Sequence, residues 1–335
     1  MPGTVTLLVN TGTPDSPDKT AVKEYLSEFL NDPYMMGMPG DAVRRVLVDK
    51  IIVPGRVGGS AARYRDLFAQ AGGRSPLAVH SEALAVRLST ELGHPVVPFM
   101  RYGHPGIDDV VDQLAGADQI VVAPMFPHET YSSYTSAAEY AIEQVSARCP
   151  QARLRLLRPY YDHPGYIDSL ATSVRPYFTD DYDLMVISFH SIPVSHQVRG
   201  ARTGMDYEQQ CRSTAHLLAK AVGVPDDKLR VTFQSAIKPM KWLEPALETE
   251  CVAWARDGAQ CVLVVCPGFA VDCLETVYDI GSKLAKTFTS AGGAEFTLVP
   301  ALNAQEHWAQ ALAGILRSDL VQPVGNSSDG SAARV

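Results

Sequence analysis

The amino-acid sequence predicts an α/β protein: two similar doubly wound parallel-sheet halves with a cleft between them. Three observations predict it. Short apolar, β-branched runs bounded by proline or glycine alternate with amphipathic segments along the 335 residues. Such runs suit strands buried on both faces, as in parallel sheets covered by helices. The chain is too long for one ordinary core and suits two. Finally, TLLVNTGTP is echoed by LMVISFHSIP, and VVAPMFP by VVCPGFA, so the second half repeats the plan of the first.

Residues 4–9 form the first strand, which Asn10-Thr11-Gly12-Thr13-Pro14 is expected to end as a turn. A helix follows, with Val22, Tyr25, Leu26, Phe29 and Leu30 at helical spacing. Residues 31–59 mix Pro33, Pro39 and Pro54 with Met35, Met36, Met38, Ile51 and Ile52. That mixture suits either an adaptable apolar lip over a ligand or the packing of a long crossover. Ser75-Pro76-Leu77 starts a helix running to residue 92, and a strand over 95–100 ends in Arg101-Tyr102-Gly103. A cation and an aromatic ring therefore stand at a strand's carboxyl end. A helix over 107–114, a strand over 119–123 broken at Pro124, a helix over 133–147 and a strand over 154–157 complete this half.

The turn-rich Pro159-Tyr160-Tyr161-Asp162-His163-Pro164 divides the chain into residues 1–160 and 161–322. In the second half, helices are expected over 166–177, 207–222, 250–256 and 304–316. Strands are expected over 183–189, 230–234, 262–265 and 295–299, with a helix after the third of them reaching residue 290. Residues 323–335, ending in GNSSDGSAARV, have the composition of a disordered tail.

A net charge of −8 and the lack of any basic run exclude a nucleic-acid partner. No apolar segment approaches the length of a membrane span, and the N-terminus runs into a strand without the pattern of a secretory signal, so a cytoplasmic protein is expected. Peripheral contact with a membrane and the choice between monomer and homodimer stay open. The six cysteines (149, 211, 251, 261, 266 and 273) contain no C-x-x-C pair. In a reducing compartment they read as small buried hydrophobes.

The chemistry concentrates in CVLVVCPGFAVDCLETVYDI, residues 261–280. A buried strand breaks at Pro267-Gly268, and Asp272, Glu275 and Asp279 follow at i, i+3 and i+7, which in an α-helix is one face. An acidic first turn is common, and a solvated face accounts for it as readily as a cation or proton site does. The position just beyond a strand's carboxyl end favours the site, since open α/β sheets bind ligands there. His190 directly follows the strand LMVISF. It is either a hydrogen-bonded histidine under a loop or a group exposed to the cleft, and the strand-end position favours the second. An imidazole and a carboxylate together suit a borderline divalent metal such as Fe²⁺, or a base with a relay behind it. Two ligands alone bind metal weakly, which favours delivery over storage.

At these residues the chain resembles the ferrochelatases, which insert ferrous iron into a porphyrin. The resemblance is carried in order by VTLLVNTGTPDSPDKTAVKEYLSEFLNDP, RSPLAVHSE, MRYGHP, LRPYYDHPGYI, ISFHSIP, TFQSAIKPMKWLEP, CPGFAVDCLETVYDI and LVPALN. It implies two chelatase-type, Rossmann-like halves with the porphyrin between them. It places the family's catalytic, metal-facing histidine and glutamate on His190 and Glu275. Asp272 and Asp279 become a proton relay or second metal shell, and Thr11, Ser75, Arg101 and Tyr102 the porphyrin-binding positions. Arg101 would pair with a propionate. The substrates would be a porphyrin, protoporphyrin IX before coproporphyrin III, and Fe²⁺. No permanent cofactor is expected, and no [2Fe–2S] cluster, because no cysteine follows Cys273.

The sequence departs from the family pattern at Ala236-Ile237-Lys238, at Glu129, which alters the porphyrin's expected neighbours, and at Lys283, which puts an outer metal site in doubt. A non-catalytic haem carrier on the same fold is disfavoured by His190 and Glu275 standing together, and a chelatase for another tetrapyrrole and metal by the ferrochelatase-type segments running from end to end.

Overall fold

The apolar runs pair into two parallel sheets. The computed structural model describes residues 3–36, 40–179, 181–236 and 240–325. Met38, Pro39, Ile237, Lys238 and the tail from residue 326 lie outside those residues.

In the first half, β1 (Thr4–Thr13), β2 (Val96–Gly103), β3 (Gln119–Pro124) and β4 (Arg153–Leu157) are parallel. In the second, β5 (Leu184–His190), β6 (Leu229–Gln234), β7 (Cys261–Val265) and β8 (Glu295–Leu298) are parallel too. The spatial orders are β2-β1-β3-β4 and β6-β5-β7-β8. Numbered within its own half, each sheet therefore runs 2-1-3-4, so the echo in the sequence is an echo of topology. A short strand, β9 (Val321–Pro323), turns back and pairs antiparallel with β4. The first sheet thus takes its last strand from far beyond the turn at Pro159.

β1 does not stop at residue 9. It continues through the expected turn to Thr13, with Gly12 opposite Tyr102 on β2. Gly12 has φ +107°, and a Cβ there would sit 1.8 Å from the Tyr102 carbonyl oxygen. Only glycine fits so close an approach in that conformation, and a glycine that reads as a turn signal is here what lets the strand go on.

Helices cover both faces. Asp18 caps Lys19–Leu30 through the amides of Thr20 and Ala21, which satisfies donors that the first turn leaves free. Gly93 and Gly223 end Pro76–Leu92 and Tyr207–Val222 in the left-handed conformation. The apolar lip is helical: Pro33–Met36, Asp41–Leu47, a π-helical turn at Val48–Ile52, then Val53–Gln70. Val43, Val46 and Ile51 are each more than 60% exposed on it. A helix at Val194–Arg202 was not legible in the sequence. Its polar face outweighs two exposed valines, Val194 and Val198.

One core cluster joins Leu8, Leu84 and Val121 of the first half to Ile187, Phe189, Leu263 and Trp308 of the second. Another packs Tyr25, Tyr64 and Tyr102 against Leu274, Val277 and Tyr278. The halves are thus held together by side chains from both.

Candidate active site

In each sheet the strand order reverses between the first and third strands, and loops at such a switch point diverge to leave a crevice. In the second sheet that point lies between β5 and β7, which pair directly. His190 is the last residue of β5, and Glu275 lies in the first turn of the helix that follows β7. The fold therefore delivers both to one edge of two neighbouring strands.

His190 is half-buried, and its ring lies 6.4 Å from that of Phe269 in the loop after β7. Its Nδ1 is 2.7 Å from the Ser191 carbonyl oxygen. A carbonyl can only accept, so Nδ1 carries the proton and the neutral ring keeps its lone pair on Nε2. That atom is the one that can take a proton or bind a metal.

Glu275 stands on a helix that is π-wound from Leu274 to Leu284. Within it, the Ala285 amide reaches back to the Ile280 carbonyl. Around Glu275 lie the phenols of Tyr25 and Tyr64, both buried in the lip-side aromatic cluster. Burial pushes both phenols well above their ordinary range, and the charge of Glu275 adds to the rise. Both stay protonated, as neutral donors near a carboxylate. Neither showed itself in the sequence, where Tyr25 read only as part of an apolar helix face.

The three acids do not form one line. Asp272 precedes the helix, whose N-cap is Cys273, and it is only 7% exposed. Its carboxylate accepts from Thr276 Oγ1 at 2.8 Å, Asn303 Nδ2 at 2.7 Å and the Ala301 amide at 3.3 Å. In return the Asp272 amide donates to Asn303 Oδ1 at 2.9 Å. The assumption of a regular α-helix from residue 272 put Asp272 on the cleft face. The real helix starts later, and Asp272 ties its start to the loop after β8. Asp279 does stay with Glu275, whose charge helps raise its carboxyl, though burial is the larger cause and Arg63 opposes both. Arg63 Nη1 lies 3.6 Å from Asp279.

Arg101 and Tyr102 are also placed differently from expectation. Arg101 Nη2 donates to Asp32 at 2.9 Å and its Nε to Ser136 Oγ at 3.1 Å. The guanidinium also lies 4.0 Å over the Tyr140 ring. Tyr102 Oη donates to the same Asp32 oxygen at 2.6 Å, and Ser136 does so as well. Tyr102 is 1% exposed. A guanidinium already neutralised by a buried carboxylate gains little from a propionate, so Arg101 is not a free anion receptor. Arg101 and Asp32 instead border a polar groove of about 710 Å³ with Lys23, Glu28 and Asp49. Neither His190 nor Glu275 lines it.

Ser75 lies at a helix start. It is 4% exposed at the start of Pro76–Leu92, yet its hydroxyl neither caps the helix nor finds another partner. Leu77, two residues on, packs on Val271 and Cys273 beside Glu275. Thr11 is half-buried near the carboxyl end of β1, its amide donating to Asn10 Oδ1 at 3.1 Å. Glu129 follows β3, the other strand at the first sheet's switch point; burial pushes its carboxyl up. Among the described residues no three His, Cys, Asp or Glu side chains gather as a metal site. No helix among them is long and apolar enough to cross a membrane.

A family model described as Ferrochelatase matches residues 4–320. A ferrochelatase of Pseudomonas putida is 37% identical over 330 residues, covering 92% of this chain and 96% of the relative. One from Porphyromonas gingivalis is 34% identical, covering 93% and 95%. Among solved structures, SirB from Bacillus subtilis with Fe³⁺ aligns over 94% of each chain with a TM-score of 0.54 at 13% identity. At that identity the likeness extends to the fold alone, a two-domain chelatase type.

Proposed function

The chain belongs to the ferrochelatase family, and from that premise we propose that it inserts ferrous iron into protoporphyrin IX, with His190 and Glu275 as the catalytic pair. As a porphyrin metal chelatase it must remove two pyrrole N–H protons as the metal enters. The neutral His190 ring, with its Nε2 lone pair free, takes one. Glu275 opposes it as a carboxylate that attracts the cation and receives the second proton. Asp279 lies next along the helix and carries that proton outward, past the Arg63 ion pair. Iron is a substrate here, and a two-residue grip suits an ion that must leave with the product.

The observation that carries this reading is the Nδ1–Ser191 hydrogen bond at 2.7 Å, which leaves His190 a basic nitrogen at the switch point. The free hydroxyl of Ser75 supports a contact with the macrocycle or a propionate, and Thr11 at the matching edge of the first sheet supports another. Arg101 and Tyr102 brace the lip-side wall through Asp32 rather than touching the porphyrin. Protoporphyrin IX is favoured over coproporphyrin III because it has vinyl groups where the latter has two further propionates. The exposed Val43, Val46 and Ile51 suit vinyl groups and would leave extra carboxylates poorly solvated. No [2Fe–2S] cluster is expected, since no cysteine follows Cys273.

The test is anaerobic insertion of Fe²⁺ into both porphyrins side by side, followed by absorption. Faster turnover with coproporphyrin III would overturn the substrate choice. No turnover with either would overturn the enzyme reading in favour of a carrier.

A further inference from the structure

We infer that Tyr207 is a positioning residue for His190, an inference that rests on the reading of His190 as the proton acceptor. Tyr207 opens the helix Tyr207–Val222, and its Oη donates to the His190 carbonyl oxygen at 2.8 Å. The amide on the other side of that peptide, Ser191 N, donates to the Gln234 carbonyl on β6 at 2.8 Å. A peptide unit is planar, so it is clamped at both edges. The same peptide leads to the Ser191 carbonyl, which holds the Nδ1 proton, while Ser191 Oγ is tied to the Leu243 carbonyl at 3.1 Å. If the Tyr207 end is released, the plane can rotate. The carbonyl that fixes the tautomer of His190 then shifts, and the Nε2 lone pair loses its aim.

Tyr207 is itself held in place. Its ring, 5% exposed, stands edge-on to His128, with centroids 6.1 Å apart at 85°. His128 is edge-on to Phe189, the residue before His190, at 5.2 Å and 80°. Its Nε2 lies 2.9 Å from Thr214 Oγ1, and Thr214 donates its one hydroxyl proton to the Tyr161 carbonyl at 2.7 Å. Thr214 must therefore accept from His128, which fixes His128 as the Nε2–H tautomer. His128 comes from the loop after β3, so the first half of the chain braces the residue that sets the histidine of the second half. Partners that orient a histidine through its neighbours commonly matter by about 10- to 100-fold in activity.

The test uses the full chain and anaerobic turnover. Tyr207→Phe removes one oxygen, and kcat should fall about 10-fold or more while the porphyrin KM stays within about twofold. Tyr134→Phe is the control, because Tyr134 Oη makes a like bond to the Leu157 carbonyl at 2.8 Å; it should match the thermal shift but keep turnover. Thr214→Val leaves the Tyr207 hydroxyl in place and frees His128, so a smaller fall in kcat is expected. Nitrogen NMR of histidine-labelled protein should show one His190 tautomer in the wild type and a mixture in Tyr207→Phe. If that variant does not fold, Thr214→Val decides by kcat and ring spectrum together. Wild-type turnover or an unchanged tautomer in Tyr207→Phe, with His190→Ala inactive, overturns the inference. An active His190→Ala would instead overturn the reading it rests on.

Discussion

Asp32 and Arg101 form a buried ion pair at 2.9 Å, with the carboxylate wholly enclosed and the guanidinium 14% exposed. They join the end of the first helix to the carboxyl end of β2. Two hydroxyls, Tyr102 Oη and Ser136 Oγ, and the Tyr34 amide also donate to the acid.

Arg101→Leu should therefore cost stability before it costs substrate affinity. Removing one member of a buried pair leaves an uncompensated charge, worth about 3–5 kcal/mol. The urea midpoint should drop accordingly, while the porphyrin KM of the folded fraction changes little. A large rise in KM at unchanged stability would restore Arg101 as a propionate partner.

Glu275→Gln keeps the shape of the side chain and removes its charge and basicity. Turnover should fall by more than about 100-fold, with porphyrin binding, read by fluorescence, nearly intact. Equal losses of binding and turnover would mean that Glu275 holds the helix rather than acting on the metal.

Asp272→Ala should behave in the opposite way. It strands the donors of Thr276, Asn303 and Ala301, and hydrogen bonds to a charged group are each worth about 1.5–3 kcal/mol. A lowered unfolding midpoint is expected, with kcat per folded molecule reduced far less than in Glu275→Gln. A kcat as low as that of Glu275→Gln, at full stability, would return Asp272 to the proton relay.

Stability should fall with acid because of His128. Burial pushes its imidazole down to about 3, whereas an unfolded histidine titrates near 6.5. Above that value neither state binds the proton and stability is fully present. As pH falls from about 6.5 toward 3, the unfolded chain gains a proton that the folded one refuses, and stability is lost. At pH 5 the loss is about 2 kcal/mol. His128→Phe should remove that part of the slope in urea titrations at pH 7 and 5, and an unchanged slope would place the sensitivity elsewhere.

The strands were legible because their signals are local. An apolar run that stops at a turn marks a strand end, and that pattern pointed to His190, the last residue of β5, and to Glu275, in the first turn of the helix after β7. Asp32 could not be read this way. It sits in FLNDP like any turn aspartate, and its meaning lies in Arg101, 69 residues away. Asp272 was misplaced because spacing assumes a regular helix, and neither the late start at Leu274 nor the wider π winding leaves a trace in residue types. Tyr207 and His128 act through backbone and ring edges, which no motif records.

The small strand β9 has a consequence for how the protein is made. Its three residues, Val321–Pro323, complete the sheet that begins at Thr4. During synthesis every other strand of that sheet is available long before β9, so β4 waits with one edge unpaired. An open strand edge is a template for pairing with other chains. A shortened chain lacking β9 would keep that edge of β4 open to such pairing.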